Sequence, residues 1–140
     1  MLVGIDALLS GALLCALDEM GHGDALVIAD ANFPARRLAK APIIQLVGVD
    51  APTATRSILT VFPVDTSERI EIMRSPLGTQ PVQEELLSEF PGEATSEVAL
   101  VERHDFYALA ETAALIIQTG DTRPYANLLI RKAGINRTSR

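Results

Sequence analysis

The sequence predicts an α/β fold: one domain over residues 1–140, with a central, mostly parallel sheet flanked by helices. Three observations carry this expectation. Stretches with apolar residues at helical spacing alternate with short apolar runs, the order of a sheet covered by helices. Runs such as Leu26-Val27-Ile28 are unbroken by polar residues, as in strands buried on both faces. The 140 residues suffice for one hydrophobic core, and no linker is long enough to divide them.

In chain order, Asp6 is suited to cap a helix over Ala7–Met20, in which Leu8, Leu9, Leu13 and Leu17 share a broad face. Gly21 stops it. Ala25–Ala29 follows as a buried strand, Asn32-Phe33-Pro34 turns the chain, and Ile43–Val49 is a second strand between Pro42 and Asp50. Pro52, tolerated in a first turn, opens a helix to about Val61, and Pro63 ends it. Ile70–Met73 reads as a short strand with Ile70 and Ile72 on one face. Past the Pro76-Leu77-Gly78 loop, Val82–Phe90 is helical, with Leu86, Leu87 and Phe90 on one side, and Pro91-Gly92 closes it. Glu97–Glu102 is a strand. His104 or Asp105 then opens a helix through Ala113, where an acidic side chain is favourable. Leu115–Gln118 is a short buried strand, Gly120-Asp121 a turn, and Tyr125–Ile130 the last strand.

Composition narrows the function. A net charge of −6 argues against a nucleic-acid partner. No apolar run approaches the roughly 18 residues that cross a bilayer, and the start lacks the basic residues of a secretory signal. A soluble, cytoplasmic chain without a membrane partner is therefore expected. Hydrophobic residues make up 48%, and burial between the subunits of a homo-oligomer is the expected home for the surplus. The single cysteine, Cys15, reads as a small core residue. The basic tail carrying Arg131, Lys132, Arg137 and Arg140 fits pairing with a neighbouring subunit or plain solvation.

Polar residues gather in three places. The stretch MGHGDALVIADANFP, from Met20, holds His22 between two glycines, then Asp24 and Asp30. Glu102, Arg103, His104, Asp105 and Tyr107 form the second group, and Asp121, Arg123, Tyr125 and Asn127 the third. Most lie at strand ends, where open α/β sheets place ligands. Phosphate-cradling glycine loops and a nucleophile elbow are absent, and the His and Asp spacings do not match a zinc site. No metal or cofactor is expected. Carboxylate, guanidinium, amide and phenol suit a neutral, hydroxyl-rich ligand, and an imidazole moves protons near pH 7. The plainer alternatives are specific too. His22 is a turn residue, Asp30 caps the turn through Asn32, Arg103 pairs with Glu102 or Asp105, and Tyr125 and Asn127 are ordinary strand and turn residues. Tyr107 is core or pocket wall.

Three segments, MGHGDALVIADANFP, VERHDFYALA and TGDTRPYANLLIRKAG, together resemble the L-fucose mutarotase and D-ribose pyranase family, over essentially the whole chain. The resemblance implies a ribose pyranase-like fold and cofactor-free interconversion of the ring forms of a monosaccharide substrate. It also implies ring assemblies, commonly decamers of two stacked pentamers. Carried over by position, the family's catalytic histidine falls on His22 and its sugar-binding carboxylate on Asp30. The sugar-binding position between strand and helix falls on Arg103, and the Tyr-x-Asn segment on Tyr125, Ala126 and Asn127. Tyr125 is also a candidate second proton carrier. Arg103 is similar to the fucose branch, since the ribose branch tends to have His there; His104 is one position off. Ala126 in place of a common Gly and Ala133 within the usual Lys-Gly ending depart from the pattern. The implied activity is exchange of α and β anomers, with L-fucose the first substrate to test. The alternatives are a ribose-type pyranase and a non-catalytic sugar-binding ring protein.

Overall fold

A computed structural model of the chain describes residues 1–92 and 97–137. Among these residues, the strands β1 (Ala25–Ala29), β2 (Ile43–Leu46), β3 (Ile70–Met73), β4 (Val98–Val101), β5 (Leu115–Thr119) and β6 (Leu128–Arg131) form one sheet. Its order is β2-β5-β1-β6-β3-β4. The β1–β5, β2–β5 and β3–β4 pairs are parallel, and only β6 runs the other way, antiparallel to both β1 and β3. The helices are α1 (Gly11–Glu19), α2 (Ala35–Leu38), α3 (Ala51–Leu59), α4 (Pro81–Ser88) and α5 (Arg103–Ala110).

Strand alternation sorts the apolar side chains into two cores. Leu26, Ile28, Leu115, Ile117, Leu128 and Ile130 face α1, α3 and α4, packing with Leu13, Leu17, Ile58 and Leu86. Val27, Ala29, Ile116 and Leu129 face the opposite way, against Leu38 of α2 and Phe106 and Ala110 of α5. All five positions of β1 are buried, which explains its unbroken apolar run. Leu26, Val27 and Ile28 each contribute about 1.5–3 kcal/mol by leaving water. Among the described residues, no helix is long and apolar enough to cross a membrane.

Several expected elements move. The first helix begins at Gly11 rather than Ala7, because the Asp6 carboxylate accepts from Leu8 N at 2.9 Å and makes a local turn. Ser10 is the cap in its place, accepting from Leu13 N. Cys15 is exposed, not core. It stands two residues from both Leu13 and Leu17, about 200° around the helix from that apolar stripe. Its thiol donates to Glu19 Oε1 at 3.2 Å. The hydrogen bond and charge of Glu19 push the thiol pKa upward. The second strand stops at Leu46, and α5 starts at Arg103, capped by Glu102. The last strand starts at Leu128 rather than Tyr125. Pro124 has no N–H for a ladder, and Tyr125 takes a φ of 66°, incompatible with a strand. The four-residue α2 falls in a stretch given no element.

The turns after β2 and β5 touch backbone to backbone. Gly120 N donates to Val49 O at 2.8 Å, and a Cβ on Gly120 would lie 2.6 Å from Gly48 N. Gly120→Ala is therefore expected to destabilise the protein by about 1–3 kcal/mol, the usual cost of overpacking. Its urea midpoint should fall with an unchanged m-value; an unchanged midpoint would show that the two turns can separate freely.

Candidate functional site

One end of the sheet, the edge made by the last residues of β1, β3, β4 and β5 and the first of β6, collects groups from distant parts of the chain. Because β6 is antiparallel to its neighbours, its first residue lies beside the last residues of β1 and β3. Asp30 follows β1 and Asn127 precedes β6, 97 positions apart, and they bond reciprocally. Asp30 N donates to Asn127 Oδ1 at 2.8 Å, and Asn127 Nδ2 donates to Asp30 Oδ2 at 3.0 Å. Asp30 Oδ1 accepts from Asn32 N at 2.9 Å, so the turn-capping role is present as well. Both side chains are buried. Burial pushes the Asp30 carboxyl above its ordinary 3.8, against the opposing pull of the Asn32, Asn127 and Phe33 donors. Beside this pair, Arg103 Nη2 donates to the Tyr125 hydroxyl at 3.0 Å, with the guanidinium 5.7 Å from the phenol ring centroid. Two bonded pairs, Asp30 with Asn127 and Arg103 with Tyr125, thus stand at the same end of the sheet, with Ala126 buried between Tyr125 and Asn127 in the chain.

His22 is on the other edge. It precedes β1, whereas Asp30 follows it, and four strand steps of roughly 3.3 Å separate the ends of β1 by about 13 Å. His22 Nε2 lies 3.3 Å from Asp65 Oδ2, and its side chain is 69% exposed. Asp65 is fixed by Ser67, whose amide and hydroxyl both donate to its other oxygen, at 3.0 and 2.6 Å. These bonds hold the Asp65 carboxyl below its ordinary range, and His22 adds to the effect. The His22 loop is tied to the end of β6: Gly23 N donates to Lys132 O at 2.8 Å. Lys132 Nζ caps α1 by donating to Leu17 O and Met20 O, each at 2.7 Å. His22 lines a cleft of about 610 Å³ with Leu14, Phe62, Lys132 and Gly134.

The three sequence clusters therefore divide. Asp24 holds its own turn, accepting from Gly21 N at 2.7 Å. Glu102 caps α5 through His104 N and Asp105 N, leaving Arg103 to Tyr125. Tyr107 packs edge-on against Phe33 and His104. Asp121 is a structural carboxylate. It accepts from Ala51 N at 3.0 Å, at the start of α3, and from Arg123 Nε and Nη2. Burial would raise its pKa, but Arg123 and the backbone donors outweigh that and lower it. Arg123 also meets Glu85, and its own pKa is raised.

Two residues of this edge escape sequence reasoning. Gln83, on α4, donates to Met73 O at 2.8 Å and Tyr125 O at 3.2 Å. Gln118 donates to Phe33 O at 2.8 Å and Ala31 O at 3.2 Å, fixing the turn after Asp30. For Gln118 the available signal was an amide ending the apolar run Leu115-Ile116-Ile117, which calls for partners; Gln83, beside Glu84 and Glu85, carried none. Among the described residues, no group of three or more His, Cys, Asp or Glu is arranged to hold a metal.

Comparisons with known proteins agree with this architecture. The profile of the RbsD / FucU transport protein family matches residues 3–135. A fucose mutarotase of Danio rerio is 36% identical, covering 96% of this chain and 95% of its own. The crystal structure of FucU from Bifidobacterium longum superposes with a TM-score of 0.86 at 34% identity, covering 95% of this chain and 99% of that one. The fucose mutarotase of Streptococcus pneumoniae, solved in complex with L-fucose, gives 0.82 at 31%, covering 96% and 100%. The chain belongs to the RbsD / FucU family.

The elevated Asp30 pKa has a signed consequence. Folding disfavours its ionisation, so its contribution to stability is complete below pH 3.8 and is lost as pH rises through the folded-state value. Asp30→Asn removes that loss. Urea unfolding of both proteins from about pH 3 to 6 should show the stability difference moving toward the variant as pH rises. A constant difference would mean that Asp30 titrates normally.

Proposed function

We propose that this family member is a sugar mutarotase, a cofactor-independent isomerase that interconverts the α and β anomers of a free monosaccharide, L-fucose first. The observation that carries the reading is that the bonded pairs Asp30 with Asn127 and Arg103 with Tyr125 stand at one end of the sheet. Those groups can donate to and accept from sugar hydroxyls, in a chain similar over its length to fucose mutarotases.

Mutarotation needs a proton placed on the ring oxygen and one taken from the anomeric hydroxyl. The open aldehyde turns about one bond and recloses on its other face. In the proposed mechanism Asp30 accepts from sugar hydroxyls, while Asn127 holds that carboxylate and presents its own polar atoms. Arg103 fixes the Tyr125 phenol, which orients the ring and serves as one proton carrier. His22 is the other, its imidazole suited to giving and taking protons near neutrality.

The length of β1 separates His22 from Asp30 in one chain, and a monosaccharide ring is shorter than that strand. The reading therefore requires two copies, the His22 loop of one closing over the Asp30 edge of the next. A homo-oligomer with paired pentameric rings, as the resemblance implies, is the proposed form. Exposed Leu2, Val3, Leu77, Leu100 and Ile135 supply apolar surface for such contacts. A lone cysteine, with no intrachain disulfide to maintain, suits the cytoplasm as the setting.

Saturation-transfer NMR of L-fucose anomer exchange tests the activity. The protein should accelerate exchange, and His22→Ala should lose about 10²–10⁴-fold. Exchange no faster than in buffer, with saturable binding, would favour a sugar-binding protein, and faster exchange on ribose a pyranase. The shared site has its own check. Inactive His22→Ala and Asp30→Ala chains, dissociated and reassembled together, should recover part of the activity; no recovery would refute it.

A further inference from the structure

We propose that Gln83 is a positioning residue for the sugar edge, holding Tyr125 in the backbone conformation that brings its phenol to Arg103. The inference rests on the reading above that Tyr125 faces the sugar, and it extends the site to a helix that reading does not use.

Tyr125 has a φ of 66°, the left-handed region that side-chain-bearing residues seldom occupy. Glycine would adopt that conformation at no steric cost, yet glycine carries no phenol. A tyrosine kept there needs external bonds to hold its backbone. Gln83 supplies one from beneath: it is 2% exposed, and its Nε2 donates to Tyr125 O at 3.2 Å. The same nitrogen donates to Met73 O at 2.8 Å, at the end of β3. Met73 N in turn donates to Asn127 O at 3.2 Å, and Met73 Sδ lies 3.9 Å from Asn127 Nδ2. One amide nitrogen thus ties Tyr125 and the end of β3 to α4. The amide oxygen has a separate task, accepting from Gln80 N at 2.9 Å at the start of the helix. Buried below the edge, Gln83 acts through Tyr125 rather than on the sugar.

This division of labour makes the proposal testable. Gln83→Glu keeps an oxygen for Gln80 N, the usual capping-box arrangement. It replaces the Nε2 donor with a carboxylate oxygen facing two carbonyls. Gln83→Met is the uncharged variant, used as well should the charge prevent folding. The chain has two tyrosines, so the ¹³Cζ resonance of each phenol can be assigned with Tyr125→Phe. In either Gln83 variant the Tyr125 resonance should move while that of Tyr107 stays, a readout independent of turnover. Anomer exchange should fall on the order of 10- to 100-fold in kcat/KM, the effect of a displaced site group. In a Tyr125→Phe background the further loss should shrink to about 2-fold or less, because coupled residues are not additive. An unmoved Tyr125 resonance, or losses that simply add, would overturn the proposal. Wild-type protein without exchange activity would instead defeat the mutarotase reading and leave the resonance test of Gln83 standing.

Discussion

Strand β6 enters the middle of the sheet antiparallel to β1 on one side and β3 on the other, with Ile28 and Ile72 both opposite Leu128. That reversal decides where each polar group stands. A parallel strand in the same slot would put Asn127 beside the start of β1, next to His22. Running backward, β6 opens against Asp30 and closes against the His22 loop, so its two ends serve both polar edges. The reciprocal bonds between Asp30 and Asn127 follow from this placement and need no long side chains to reach them.

Two buried carboxylates on that side of the sheet differ in their partners. Asp121 faces a guanidinium and a helix start, and its charge is matched within the fold. Asp30 faces an amide and backbone donors, so desolvation prevails and its charge is left without a cation. In the proposed mechanism, the carboxylate whose charge the fold does not match is the one that meets the sugar. The other is an internal brace. The distinction comes from the environment, since the two residues are chemically the same.

Much of the fold was legible in the sequence where burial on both faces leaves no ambiguity. Strands β1 and β3 have the boundaries that their apolar runs and flanking residues suggest. The alternation of helices and strands gave the class. The misreadings have local physical causes. Asp6 bonds its own turn and delays α1, Cys15 stands off the leucine stripe, and the left-handed Tyr125 delays β6. The family resemblance supplied the residues expected at the candidate site, but spacing along the chain concealed their arrangement. His22 and Asp30 are near neighbours in sequence, yet the intervening residues are extended, so proximity in the chain became distance in space. Gln83 was illegible for the opposite reason, because the carbonyl that ties it to the candidate site, Tyr125 O, lies 42 residues along the chain.

The cap that Lys132 places on α1 joins positions 115 residues apart. The loop bearing His22 is anchored to that same lysine's carbonyl. During synthesis, the first helix and its histidine leave the ribosome long before the residue that fixes them. A nascent chain thus carries the imidazole without its final setting, and both ends of the sheet are completed only once β6 is in place. Contacts of such long range slow folding, and they make the ordering of both ends of the sheet wait on one late strand.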